Sequence, residues 1–221
     1  VLVISITLVG SMLQPYASEE ASQPDLRQFL EELYQGRDLS SFHAGQTIPL
    51  NSRAIWVVCR GVVQLSTLYQ SGDEALLGLA GPSMPFGLPL TLIDPYQAIA
   101  LSDVDLMGLT LAEIEQSATL AQEIGRHTVR RLRQTEAMLA MAGYRRVEDR
   151  LRQLLLLLQM EVGQPVAGGT RLSVRLTHQH LASAIGTTRV TVTRLLGQLR
   201  NEGRLIVDAN RHLILPVGSS L

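Results

Sequence analysis

The period of the hydrophobic pattern changes along this chain, and each change predicts a new element. Residues 26–36 place Leu26, Phe29, Leu30 and Leu33 at helical steps among acidic residues, which predicts one short helix stopping near Gly36. From Phe42 to Leu109 the pattern turns into short apolar, partly β-branched runs at 55–58, 62–68, 75–79 and 99–101. Turns fall between them at Gly45, Gly61, Ser71-Gly72-Asp73 and Gly81-Pro82. Closely spaced short strands predict a small antiparallel barrel or roll. Within it, Tyr69-Gln-Ser-Gly-Asp-Glu74 reads as a hairpin turn.

The second half is helical. Thr110 opens a helical stretch, and after a break near 117–119 a long helix is predicted over about 120–144. Ile124, Thr128, Leu132, Thr135, Met138, Leu139 and Ala142 lie on one of its sides at steps of three and four residues. That stripe needs a partner, which is either its own copy in a homodimer or the barrel of its own chain. Residues 147–162 form a further helix, apolar nearly all round through 154–158 and therefore buried. A connector at 163–169 and a strand-like stretch at 171–176 lead into residues 177–200. There Thr177 can cap a helix packed through Leu181, Ala184 and Ile185, and Gly186 supplies a tight turn. Thr188 can cap a second helix packed through Val192, Leu195, Leu196 and Leu199. This is a helix-turn-helix. On its second helix Arg189, Val190 and Arg194 fall in the first two turns, off the apolar stripe, where a recognition helix meets base edges in the major groove. Residues 205–207 and 212–215 flank 208–211 as a terminal hairpin, which makes the unit a winged helix.

Composition sharpens this reading. The chain has 221 residues, 46% of them hydrophobic, enough for two modest domains with cores. Its net charge of −1 hides an asymmetry: residues 1–125 hold 4 Arg against 14 acidic residues, and residues 126–221 hold 15 Arg against 6. An acidic front half joined to a basic back half fits phosphate neutralisation by the latter. Every basic residue other than histidine is Arg, the side chain that can pair bidentately with phosphate or guanine. Cys59 is the only cysteine, so neither an intramolecular disulfide nor a multi-cysteine cluster can form, and a reducing cytoplasm fits. Residues 1–13 are apolar but too short to cross a bilayer, so no membrane partner is expected; they read as a mobile extension or a misassigned start, with Met12 as initiator. His178 and His180 are two apart and cannot share a metal from one helix face, and no hydrolase, Walker or zinc motif occurs, so no enzyme is expected.

The order of β-roll, long helix and winged helix resembles the CRP/FNR family of bacterial transcription regulators over residues 26–215. The resemblance implies an α+β fold with a cyclic-nucleotide-binding-like β-roll at 26–118 behind an extension at 1–25. A dimerisation helix at 119–144 and a winged helix-turn-helix DNA-binding domain at 145–221 follow. Within that family, Gly186-Thr-Thr-Arg-Val-Thr-Val-Thr-Arg-Leu-Leu-Gly-Gln-Leu-Arg200 is similar to the recognition helix of the nitrogen-regulator branch. By that resemblance Arg189 and Arg194 contact bases, and Val190 replaces the glutamate of the cAMP-receptor branch. An apolar Val can pack on a thymine methyl but cannot accept from a cytosine amine, which implies a GTA-type half-site. His178, Gln179, Thr188 and Thr191 fall where the family contacts phosphates. A homodimer would then sit on a pseudo-palindrome in double-stranded DNA with half-sites about one turn, ~34 Å, apart, acting as an activator with RNA polymerase as a further partner. Phe86, Gly87 and Leu88 occupy the place of the family's effector loop, and Arg131 and Glu136 match a ligand pair of the nitrogen branch. Leu88 stands where cyclic-nucleotide binders carry Glu, and the Arg-Ser pair is missing, which argues against cAMP. The roll Arg of the nitrogen branch has no counterpart either, so 2-oxoglutarate, another anion or no ligand stay open. A ligand-independent paralogue and a helix-turn-helix protein-interaction module are the competing readings.

Overall fold

The computed structural model describes residues 37–217. The helix expected over 26–36 and the apolar segment 1–13 lie outside them. Strands β1 (Ser40–Phe42), β2 (Ala54–Arg60), β3 (Val63–Leu68), β4 (Glu74–Ala80), β5 (Pro85–Phe86), β6 (Gln97–Ala100) and β7 (Val104–Thr110) build the roll. They form two antiparallel sheets, β1-β7-β2-β5 and β4-β3-β6. Val58, Val63, Leu65, Phe86, Ala98 and Leu106 fill the space between the sheets. In β2 the pairing register shifts between Val58 and Arg60, a bulge, and consecutive residues Val57 and Val58 are both buried. Val58 enters the roll core, while Ile55 and Val57 join Met107 and Leu109 in a separate cluster. The hairpin predicted at 69–74 joins β3 to β4, with the Tyr69 N–H donating to the Asp73 carbonyl and the Gly72 N–H to the Tyr69 carbonyl.

Helix α1 (Leu111–Gln116) begins with a reciprocal cap: the Thr110 hydroxyl accepts from the Glu113 N–H, and the Glu113 carboxylate accepts from the Thr110 N–H. Ser117 caps α2 (Ala118–Ala142). Leu120 and Ile124 of α2 pack on Ile55, Val57, Met107 and Leu109, which anchors the helix to the roll by its first turns. Farther along, the buried positions of α2 are Leu120, His127, Gln134 and Met141, a line with a step of seven residues. Seven residues fall about 20° short of two full turns, so the four share one side. The stripe read from hydrophobicity splits: Ile124 packs inward, Met138 is half-buried, and Thr128, Leu132, Thr135, Leu139 and Ala142 are exposed. Leu139 is 75% exposed. The inward side contains two polar residues, which hydrophobicity could not reveal.

Helix α3 (Val147–Val162) has the predicted bounds and is buried through Leu151, Leu154, Leu155, Leu158 and Val162. The connector expected at 163–169 is corrected: β8 (Gly163–Val166) pairs with β9 (Gly169–Leu172), which ends four residues before the strand-like stretch does. Pro165 is tolerated because β8 is an outer strand, paired on one side only, with β9. Helices α4 (His178–Ile185) and α5 (Arg189–Asn201), then β10 (Ile206–Val207) and β11 (Leu213–Pro216), complete a winged helix. Its core also takes in Val62 and Leu79 from the roll, so the two halves share buried surface.

His127 is buried with Arg130 and Arg126 nearby, and burial, aided by both guanidinium groups, pushes its imidazole down to about 4. The unfolded chain takes up that proton near pH 6.5, the folded chain near 4, so stability falls as pH drops across this window. With solvent screening allowed for, the loss at pH 4 should be about 1–2 kcal/mol. Urea unfolding at pH 7.5 and 4.5 should show a larger loss for the native chain than for His127→Leu.

Candidate nucleic-acid interface and ligand site

The local sequence of the helix-turn-helix accounts for its geometry. Thr177 accepts from the His180 N–H at 3.1 Å, Gly186 ends α4 in the left-handed conformation with φ 61°, and Thr188 accepts from the Thr191 N–H at 3.2 Å. Val192, Leu195 and Leu196 bury one side of α5. Arg189, Val190 and Arg194 are exposed, Val190 to 78%. A β-branched apolar side chain held that open at the first turn of a helix gains nothing from its own fold. Arg189 has no side-chain partner among the described residues, whereas Arg194 donates to Gln198 Oε1 at 3.2 Å and lies 3.6 Å from a Glu148 carboxylate oxygen. Exposed contacts of this kind are worth little and yield readily to a better acceptor.

Of the residues expected at phosphates, His178 Nδ1 shares a 2.7 Å hydrogen bond with the Thr193 hydroxyl, bracing α4 against α5. Gln179 is exposed and donates to the Ser183 hydroxyl at 3.3 Å. The Thr188 and Thr191 hydroxyls are 3.0 Å apart. His180 completes the cap, its Nδ1 accepting from the Thr177 N–H at 3.4 Å; burial lowers its pKa, and the Glu74 charge opposes that. Sequence reasoning missed Arg150, whose Nε donates to the Ile185 carbonyl at 2.9 Å and Nη1 to the Tyr144 carbonyl at 3.0 Å. One guanidinium thereby ties the turn of the helix-turn-helix to the junction of α2 and α3. In the wing, Arg171 pairs with Asp208 at 2.7 Å and holds its carboxyl below the usual range, while the His212 N–H also donates to Asp208.

The second group of predicted residues lies where the roll meets α2. Phe86 is buried in β5 opposite Trp56. Gly87 presses on β2, where an added Cβ would stand 3.2 Å from the Ile55 Cα, so packing already accounts for this glycine. Leu88 begins a short 3-10 turn, Leu88–Leu90. Arg131 faces the roll beside Tyr96; burial pushes the Tyr96 phenol up, and the Arg131 guanidinium draws it back. Among the described residues Arg131 Nη1 and Gln134 Nε2 are enclosed without a hydrogen-bond partner, while Gln134 Oε1 accepts from the Leu79 N–H at 2.8 Å. Two orphaned donors, one of them on a guanidinium, form a local demand for an acceptor. Glu136 is exposed; five residues on a helix rotate it about 140° from Arg131, and the chain does not bring the two together. Tyr96 and Gln134 enter this cluster without having been singled out as ligand groups. The signal that could have found Gln134 is its place fourteen residues after the apolar Leu120 and seven before Met141.

Among the described residues no group of three or more His, Cys, Asp or Glu side chains could hold a metal ion, and no helix is long and apolar enough to cross a membrane. Residues 149–216 match the Crp-like helix-turn-helix domain. Over 161 residues the chain is 38% identical to the regulatory protein CysR of Synechococcus elongatus, covering 72% of this chain and 74% of that protein. It is 31% identical to the global nitrogen regulator of the same organism over 206 residues, covering 86% of this chain and 93% of the relative. A crystal structure of a CRP/FNR transcriptional regulator from Thermus thermophilus superposes with a TM-score of 0.65 at 26% identity, covering 80% of this chain and 93% of that one.

If Arg150 is the brace described, Arg150→Met should keep the apolar stem and lose both charge-assisted bonds. Urea unfolding should report a loss of about 2 kcal/mol.

Proposed function

This chain belongs to the CRP/FNR family of transcription regulators, and from that we propose that it acts as a homodimer on a pseudo-palindromic double-stranded DNA site with GTA-type half-sites. The observation that carries the reading is the face of α5, where Arg189, Val190 and Arg194 stand exposed together at the helix start while the opposite side is buried. Two guanidinium groups suit bidentate contact with guanine, and Val190 suits a thymine methyl. His178, Gln179, Thr188 and Thr191 sit on the same unit as its phosphate contacts. The exposed side of α2, with Thr128, Leu132, Thr135, Leu139 and Ala142 alternating at steps of four and three, is the seam on which a second copy would pack. RNA polymerase is the partner through which such a bound dimer would activate transcription, and the cytoplasm is where it would do so.

The effector site in this reading is the cluster of Arg131, Tyr96 and Gln134 against the β5 loop of Phe86, Gly87 and Leu88, with Glu136 left to face the partner subunit. Its donors fit one carboxylate. A dicarboxylate such as 2-oxoglutarate would have only one guanidinium among these residues, and a missing charge-assisted partner costs about 1.5–3 kcal/mol.

Two measurements test the reading. Fluorescence anisotropy with a GTA-type palindrome should show affinity that falls steeply with salt, and Arg189→Ala or Arg194→Ala should each weaken binding by about tenfold or more; no binding at low salt would remove the regulator reading. Calorimetric titration with 2-oxoglutarate should give heat that disappears in Arg131→Ala. Absence of heat at millimolar ligand would remove 2-oxoglutarate and leave a regulator that takes another anion or none.

A further inference from the structure

Strand β4 is the outer strand of the sheet β4-β3-β6, so among the described residues the backbone groups along its far edge have no strand to pair with. Its register against β3 shifts between Leu65 and Ser66: Leu65 stands opposite Gly78 and Ser66 opposite Leu76, which leaves Leu77 as the extra residue of a bulge. Immediately after the bulge the Leu79 N–H turns to Gln134 of α2 and donates to its Oε1 at 2.8 Å, in a buried setting. Gln134 is 3% exposed. Gly78 makes room for it: φ is +154°, and a Cβ there would lie 2.6 Å from Gln134 Oε1. The side chain thus fits the strand as a socket fits a pin.

The other side of the same strand belongs to the DNA-binding unit. Leu79 is buried in one cluster with Leu181 and Ile185 of α4 and Leu154 of α3, and Leu76 packs against that cluster. Glu74, at the start of β4, acts on His180 at the start of α4. Leu79 therefore holds α2 by its backbone and the helix-turn-helix by its side chain. Gln134 Nε2 meanwhile lacks a partner, as does the neighbouring Arg131 Nη1. An acceptor drawn to these two donors would pull on the amide group whose oxygen holds β4.

We propose that Gln134 is a positioning residue that sets the placement of the helix-turn-helix through β4, so that the roll, the long helix and the DNA-reading unit of one chain are coupled at a single amide. The coupling itself rests on the geometry of one chain; its reading in DNA affinity rests on the function proposed above. Holding α4 and α5 in one orientation removes freedom that would otherwise be lost on binding DNA, so breaking the joint should weaken binding.

Hydrogen exchange by mass spectrometry and DNA anisotropy on the full chain test this together. Gln134→Leu keeps the bulk and removes the acceptor; exchange should rise at least tenfold in both 74–80 and 178–185, and DNA affinity should fall five- to thirtyfold. Gln134→Glu keeps an acceptor for the Leu79 N–H and should hold exchange in both 74–80 and 178–185 within twofold of the native chain. Val58→Ala, in the roll core, should lower Tm without changing exchange in 178–185 or DNA affinity. If Gln134→Leu does not fold, Gly78→Ala displaces the same amide and should reproduce the pattern. Unchanged protection of 178–185, or DNA affinity that is unchanged or tighter, would overturn the proposal. Should the native chain bind no DNA, that failure belongs to the functional reading, and the exchange arms alone decide the coupling.

Discussion

Helix α2 runs for 25 residues with most of its surface exposed, and helices in proteins draw most of their stability from packing rather than from propensity. Its stability has to come from being pinned. Leu120 fastens its start to the outer face of β2 and β7, and Met141 fastens its end into the core of the winged helix. Between these pins Arg130 reaches Glu161 of α3 at 3.1 Å, and Gln134 reaches β4. Each major part of the fold is therefore attached to one rigid rod. That constraint explains the burial of His127 and Gln134, polar residues in a line otherwise reserved for Leu and Met: the inward side must be continuous even where it meets backbone rather than apolar side chains.

Local chemistry was well expressed in the sequence. The bounds of α3, the 69–74 turn, the caps Thr177 and Thr188 and the terminal hairpin all depend on residues within a few positions of one another, and each is present. Features that depend on distant residues were not visible. The β8–β9 hairpin was hidden by Pro165 and the glycines at 163, 168 and 169, which read as a connector until β11 supplies an edge for β9 to join. Arg150 looks like any helical Arg until Ile185 and Tyr144 turn their carbonyls toward it. In the candidate ligand site Arg131 was legible from its motif, whereas its neighbours Tyr96 and Gln134 arrive from separate elements.

Charge follows the same division of labour. The acidic residues of the roll are largely used internally, as in Asp105 with Arg60 and Ser41, or Glu113 with Arg37 and Thr110. In the basic half, Arg150 and Arg171 are spent on structure, whereas Arg189 keeps its guanidinium free among the described residues and Arg194 holds only exposed partners. The asymmetry of the whole sequence thus narrows to a few side chains at the start of one helix.

The outer position of β4 has one more consequence. Ala75-Leu-Leu-Gly-Leu-Ala80 is an uncharged, proline-free apolar strand, the kind of edge that recruits other chains into sheet-to-sheet association. Here Gln134 occupies one of its backbone donors, and Leu76 and Leu79 share a cluster with α4. The winged helix therefore also serves the roll as a shield against aggregation, and a fragment cut after α2 would lose solubility along with its DNA-reading unit.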